Sequence, residues 1–221
     1  MARVRSAAFD DQRETILAQA AALFARQGYT ATSMNEVAAA CGISKPTLYH
    51  YVRDKHELLL SVAEAHVARL EALVAAVAVE QLAPRARLQA LVSRFVLAYA
   101  DAQHEHRVLT EDVKFLDAEA RERVLAGERR VVAAFADAVH ALRPELAEAA
   151  LAKPLAMLLF GMINWMFTWL KPGGRYDHAA MAPVVVDLFL GGLGAVQAPG
   201  PQSASAAARR STMTTKKETL L

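Results

Sequence analysis

Ser33-Met34-Asn35-Glu36-Val37-Ala38-Ala39-Ala40-Cys41-Gly42-Ile43-Ser44-Lys45-Pro46-Thr47-Leu48-Tyr49-His50-Tyr51-Val52 reads as two short helices around one tight turn. The first opens on a capping box. The Ser33 hydroxyl is spaced to accept from the Glu36 amide while the Glu36 side chain reaches back. That run ends at Cys41-Gly42, with glycine where the turn needs a permissive backbone. The second helix begins at Ser44, another capping residue, with Pro46 in its first turn, where a missing N–H costs nothing. Val37, Ala38, Cys41, Ile43 and Leu48 supply small apolar contacts that hold the pair at a fixed angle. By this arithmetic the segment at about 33–52 is a helix-turn-helix. The outward face of its second helix carries Lys45, Thr47, Tyr49 and His50, with Lys55 just beyond. Lysine and tyrosine reach phosphate oxygens, and a small Thr47 lets the helix approach base edges. The N-termini of both short helices also aim amide N–H groups outward. On spacing alone an ordinary pair of packed helices fits equally well.

Working outward, almost every segment has helical period, and alternation at period 2 is nearly absent. Ile16, Ala20, Leu23 and Phe24 form one apolar face of a first helix, with Asp10 or Asp11 at its start and Gly28 at its end. Asp54 starts a long helix through Leu58, Val62, Leu70, Val74 and Val77 that stops before Pro84. Beyond it the pattern predicts helices at about 85–103, 106–115, 118–141, 145–171 and 178–195. Pro154 should kink or split the fourth of these, and Pro172-Gly173-Gly174 is a stop. The expected fold class is all-α. Residues 198–221, rich in Pro, Ser, Ala and Thr, lack apolar periodicity and read as a disordered tail.

Composition narrows the function classes. The chain has 221 residues, of which 54% are hydrophobic, enough for a substantial core. A single cysteine, Cys41, excludes a disulfide framework and a multi-cysteine metal site and fits a reducing cytoplasm. The net charge of +2 implies no nucleic-acid binding by itself, so only a local basic cluster matters. The N-terminus, with Arg3 and Arg5, has no apolar core and reads as no secretory signal. Leu155 to Leu170 falls short of the roughly 20 residues needed to span a bilayer and contains Asn164. The expectation is a cytoplasmic chain with no membrane association. No nucleophile elbow, Gly-rich phosphate loop or paired ligand motif is present, so no enzyme, cofactor or metal is predicted. His104-Glu105-His106 has i, i+2 spacing rather than the i, i+4 spacing of a helical metal pair.

The run Gly28-Tyr29, Thr32-Ser33-Met34, Glu36-Val37-Ala38, Cys41 through Tyr51, Lys55 and Leu58-Leu59 closely resembles the N-terminal domain of TetR-family transcriptional repressors. The resemblance spans Thr15 to Leu60. It departs from the family at Val52, where an aromatic usually closes the recognition helix. It implies a three-helix DNA-binding domain over residues 10–70 behind a flexible arm at 1–9. It also implies a helical ligand-binding and dimerisation domain over 71–197. Carried over residue by residue, Thr32 and Ser33 would contact phosphate. Ser44, Lys45, Pro46 and Thr47 would lie in the major groove. Tyr49 and His50 would contact phosphate or base, and Lys55 would clamp another phosphate. The partner so implied is a double-stranded palindromic operator bound by a homodimer.

The C-terminal half is apolar on several sides. Leu158, Leu159, Met162, Trp165, Met166 and Trp169 cannot all face one monomer's interior, and the resemblance implies a four-helix dimer interface from the last two helices. The same region should border an effector pocket. Its candidate residues are Tyr99, Phe160, Asn164, Trp165 and Trp169, with Arg94 and Arg107 as cations. Phe95, Phe115, Phe167, His104 and His106 are further candidates, and plain core packing is the alternative for each apolar one. Phe160-Gly161-Met162-Ile163-Asn164-Trp165, Trp169 and Pro172-Gly173-Gly174 are similar to a helix of TetR-family members that respond to acyl-CoA thioesters. The implied function is therefore a repressor released by a small hydrophobic ligand, with an acyl- or aryl-CoA thioester as the candidate. A repressor of a multidrug efflux pump and a ligand-independent DNA-organising protein are the alternatives.

Overall fold

Side-chain caps set five of the ten α-helix starts among the described residues. Ser33, Ser44, Asp54, Asp117 and Asp177 each accept the amide N–H three residues on, which satisfies one of the donors a helix N-terminus leaves open. The computed structural model describes residues 7–170 and 174–198, and every regular element among them is helical. These are α1 (Ala7–Gln27), α2 (Met34–Ala40), α3 (Lys45–Tyr49), α4 (Lys55–Val79), α5 (Pro84–Asp101) and α6 (Gln103–Glu111). A 3-10 turn (Val113–Phe115) follows, then α7 (Ala118–Leu142), α8 (Pro144–Glu148), α9 (Ala152–Trp169) and α10 (His178–Ala195).

Three expectations change. Helix α1 already begins at Ala7, so residues 7–9 are not part of an arm. Arg3, Arg5, Pro172-Gly173 and the tail beyond 198 lie outside the described residues, as does the side chain of Phe167. The helix expected over 145–171 is two, α8 and α9, parted where Ala150 adopts a φ of 58°. Pro154 consequently sits in the first turn of α9, where it needs no partner for a missing N–H, and it kinks nothing.

The helices bury two apolar clusters. One gathers Ile16, Phe24, Val37, Leu48, Leu58 and Leu59 from α1–α4, and it also takes in Val108, Leu109, Val113 and Val124 from α6, the 3-10 turn and α7. The other joins Leu70 and Val77 of α4 to Phe95, Phe135, Leu159 and Phe189 of the C-terminal helices. Among the described residues α10 is the one helix long and apolar enough to cross a membrane by length and composition. Its Val185, Val186, Phe189, Leu190 and Leu193 are buried in the second cluster, as in the core helix of a globular protein.

Where the two clusters meet, His66 of α4 lies 5.7 Å from His106 of α6, and Tyr99 of α5 stacks on His106 at 3.9 Å. Both histidines are buried. Neither ring nitrogen of His66 has a hydrogen-bond partner among the described residues. Burial holds both imidazoles below their ordinary value of 6.5, His66 at about 3 and His106 at about 4. The unfolded chain therefore binds protons that the folded chain refuses. Stability from these groups is present above about pH 6.5 and is lost as pH falls toward the folded values. Urea titrations should show stability rising with pH between about 5 and 6.5, and the slope should shrink in His66→Leu. An equal slope in the variant would contradict this account.

Candidate DNA-binding surface and effector cavity

The capping box forms as spaced. Ser33 donates from its amide (2.8 Å) and hydroxyl (2.7 Å) to the Glu36 carboxylate and accepts the Glu36 amide (3.3 Å). Those donors hold the Glu36 carboxyl below the usual carboxylate range. Gly42 takes a φ of 65°, and the Ile43 and Gly42 amides donate to Ala38 and Ala39 carbonyls (3.0 and 3.1 Å). This is the Schellman closure that glycine permits. Leu48 is fully buried in the N-terminal core, which fixes α3 in rotation. That rotation leaves Lys45, Pro46, Tyr49 and His50 exposed and Thr47 half-buried, its hydroxyl 2.8 Å from that of Ser44. The structure thus brings Ser33, Ser44, Lys45, Pro46, Thr47, Tyr49 and His50 onto exposed or half-exposed ground.

Thr32 and Lys55 are placed differently from expectation. Thr32 is only 1% exposed. Its hydroxyl donates to the Gly28 carbonyl (2.9 Å) and accepts from Gln27 (3.3 Å), so it presents nothing to a phosphate. The Lys55 ammonium donates to the carbonyls of Tyr29 (2.9 Å), Thr30 (3.2 Å) and Thr32 (2.9 Å) and sits 4.5 Å from the Tyr29 ring centroid. An ammonium has three donors, and all three are engaged. Lys55 is a clamp on the α1–α2 turn rather than on phosphate. Tyr29 also stacks on Phe115 (5.4 Å), which places Phe115 at the junction of the domains.

A cavity of about 330 Å³ opens between α4, α5, α6, α7 and α9. Leu70, Val131, Met157 and Phe160 make its apolar walls; Tyr99, His106, Glu128 and Asn164 are its polar points. Burial pushes the Glu128 carboxyl up, and the Asn164 Oδ1 is buried without a hydrogen-bond partner among the described residues. Of the predicted effector residues, Tyr99, Phe160 and Asn164 are brought together here. Arg94 and Arg107 are not. Arg94 forms a two-point ion pair with Glu80 (2.5 and 2.9 Å), and Arg107 pairs with Glu111 (3.1 Å) one turn along α6. The cations at the cavity are Arg129, paired with Glu122, and Lys153, which has no ion-pair partner among the described residues. Neither was anticipated, because a lone lysine or arginine on a helix carries no signal of which cavity it borders.

This arrangement of a helix-turn-helix and a helical cavity has known counterparts. The family described as bacterial regulatory proteins, tetR family, matches residues 16–62, and the tetracyclin repressor-like C-terminal domain matches 81–193. The chain belongs to the TetR family. It is 30% identical over 187 residues to the HTH-type transcriptional activator FasR of Mycolicibacterium smegmatis, covering 83% of this chain and 84% of that protein. A TetR-family regulator from Bordetella parapertussis is 37% identical and superposes with a TM-score of 0.77 over 85% of this chain and 98% of that one. The crystal structure of AibR in complex with isovaleryl coenzyme A and operator DNA is 26% identical, with a TM-score of 0.69 over 80% and 97% of the two chains. The chain is accordingly a DNA-binding transcriptional regulator.

In this TetR-family chain Trp165 and Trp169 lie away from the cavity. They line an open groove between α9 and α10 with Met157, Leu158, Val184 and Leu188. Trp165 and Leu158 are each 66% exposed. Phe189, by contrast, is 7% exposed and belongs to the monomer's own core.

Replacing Lys55 by alanine should lower the stability of the chain by about 2 kcal/mol, the scale for loss of charge-assisted hydrogen bonds. It should also weaken DNA binding by loosening the α1–α2 turn. Urea unfolding with an unchanged midpoint would assign Lys55 back to the surface.

Proposed function

We propose that the chain is a ligand-controlled repressor: a dimer that occupies a palindromic operator and leaves it when an acyl- or aryl-CoA thioester fills the cavity. The observation that carries the reading is the cavity itself. A space of about 330 Å³ with apolar walls, a few convergent polar groups and free cationic charge nearby is a ligand site rather than a packing defect. The acyl part rests among Leu70, Val131, Met157 and Phe160. Asn164 Oδ1 takes a donor such as a pantetheine amide. Lys153 and Arg129 meet the phosphates, the role first expected of Arg94 and Arg107. The AibR complex supports this choice of ligand class by analogy.

On the DNA side, Ser33, Ser44, Lys45, Pro46, Thr47, Tyr49 and His50 form the reading face. Lys45, Tyr49 and His50 contact phosphate or base, and Thr47 lies against base edges. Two such faces must sit one DNA turn apart, about 34–36 Å, which requires a two-fold dimer. The exposed groove of Leu158, Trp165, Trp169 and Leu188 is the dimer surface, since an isolated monomer would leave it in water. Among the described residues, a Cβ added to Gly161, Gly191, Gly192 or Gly194 would meet nothing within 4 Å beyond its own stretch of helix, which leaves room for a partner helix. Repression follows from occupancy, and the ligand must bind the DNA-incompetent state better. A cytoplasmic location accords with DNA as the partner.

The dimer is tested by Trp165→Glu, which should give a monomeric mass by light scattering with operator binding lost. A dimeric variant would move the interface elsewhere. The effector is tested by a gel-shift titration with CoA thioesters, free acids and hydrophobic drugs. Thioesters should release the operator, and release should need about tenfold more thioester in Lys153→Glu, a loss of about 1.4 kcal/mol. Release by drugs alone would favour control of an efflux pump. Release by nothing would favour a ligand-independent DNA-organising protein. A reporter that falls when the gene is deleted would make the chain an activator, as FasR is by name.

A further inference from the structure

Helices α4 and α7 meet at Val67 and Gly127, which also line a surface cleft of about 390 Å³ with Glu64, Glu71, Arg123 and Arg130. A Cβ built on Gly127 of α7 would lie 2.3 Å from Val67 Cγ1 and 3.6 Å from Val67 Cβ. Non-bonded carbons settle about 3.5–4.0 Å apart, so a methyl at position 127 must displace something. Val67 turns aside only at a cost, because a β-branched side chain in a helix has one strongly preferred χ1. Two ion pairs bracket the crossing, Glu64 with Arg123 (3.3 Å) and Glu71 with Arg130 (2.5 Å), and hold the two helices in register. The other side of Val67 borders the effector cavity.

We propose that Gly127 is a positioning residue for DNA binding: a notch, filled by Val67, that sets where α4 stands. With Cγ1 already seated against Gly127, Val67 has little travel of its own when a molecule presses on it from the cavity. The displacement is passed to α4 as a body. From Val67 to Lys55 the helix runs twelve residues, about 18 Å. At that end Lys55 grips the α1–α2 turn, and Leu58 and Leu59 pack beneath the helix-turn-helix. A shift of about 1 Å at the crossing therefore reaches the reading face, as small shifts do when packed cores transmit them. The inference rests on the regulator reading and adds to it the residue pair that converts cavity volume into helix movement.

The test is made first without ligand. The probe is a duplex enriched from a random-sequence pool by the wild-type dimer. Gly127→Ala should bind it at least about tenfold more weakly, within the usual range of allosteric coupling, while keeping dimeric mass and cooperative thermal unfolding. Alanine is the better helix former, so a weaker helix does not explain such a loss. Adding Val67→Ala removes the overlapping methyls and should restore affinity to within about threefold of wild type; a loss that affects only folding would not be rescued in this way. Wild-type affinity in Gly127→Ala, or no rescue by Val67→Ala, overturns the notch. If Gly127→Ala does not fold, Val67→Ala alone decides. The slack it opens should raise the midpoint for release by isovaleryl, octanoyl and palmitoyl coenzyme A at least about fivefold, and an unchanged midpoint overturns the proposal. A wild-type protein that enriches no duplex, or that none of the three thioesters releases, overturns instead the reading on which this inference rests.

Discussion

Helix α4 belongs to both apolar clusters, and the rest of the molecule is arranged around that sharing. Leu58, Leu59 and Val62 lie in the N-terminal core, while Leu70 and Val77 lie in the C-terminal one. An unbroken helix of 25 residues is a stiff rod, so neither core can move its segment without moving the other. The second link between the halves runs through α6 and the 3-10 turn, whose Val108, Leu109 and Val113 complete the N-terminal core. The DNA-binding unit is thus not sealed off at the end of α4 but borrows side chains from beyond residue 100.

Charged groups divide by the company they keep. Lys55, Arg94 and Arg107 each have a partner within the chain: backbone carbonyls, Glu80 and Glu111 respectively. These interactions position helices and leave little charge for an outside anion. Lys45 on α3 and His50 at its C-cap are exposed, and Lys153 at the cavity has no ion-pair partner among the described residues. Availability, rather than residue type, separates the cations suited to binding from those that hold the fold.

The apolar excess of α9 and α10 is likewise split by direction. Leu159, Ile163 and Met166 face inward, while Leu158, Trp165 and Trp169 face out, so α9 is buried on one side and uncovered on another. Polar points are scarce inside. The His66–His106–Tyr99 group sits at the seam between the cores, and burial keeps its imidazoles neutral. Such a seam is costly to protonate and helps confine the fold to near-neutral and higher pH.

What the sequence by itself determined is everything local. Ser33, Ser44, Asp54 and Gly42 act within four residues of themselves, and the caps and the turn form at those positions. Apolar period placed Phe24, Leu48 and Leu58 in a core for the same reason: a helix repeats every 3.6 residues wherever it lies. The family resemblance rested on those same residues. Only the tertiary structure decided which cation meets which partner, which side of α9 faces the cavity, and that Val67 fills the space before Gly127. It also decided that Thr32 is buried and that α8 and α9 part at Ala150. The physical reason is that most of these depend on residues distant along the chain being brought together, such as Lys55 with Tyr29, Arg94 with Glu80 and Val67 with Gly127. No pattern along one helix encodes the distance to a neighbouring helix, so an exposed lysine, a clamping lysine and a cavity lysine look alike until the helices are packed.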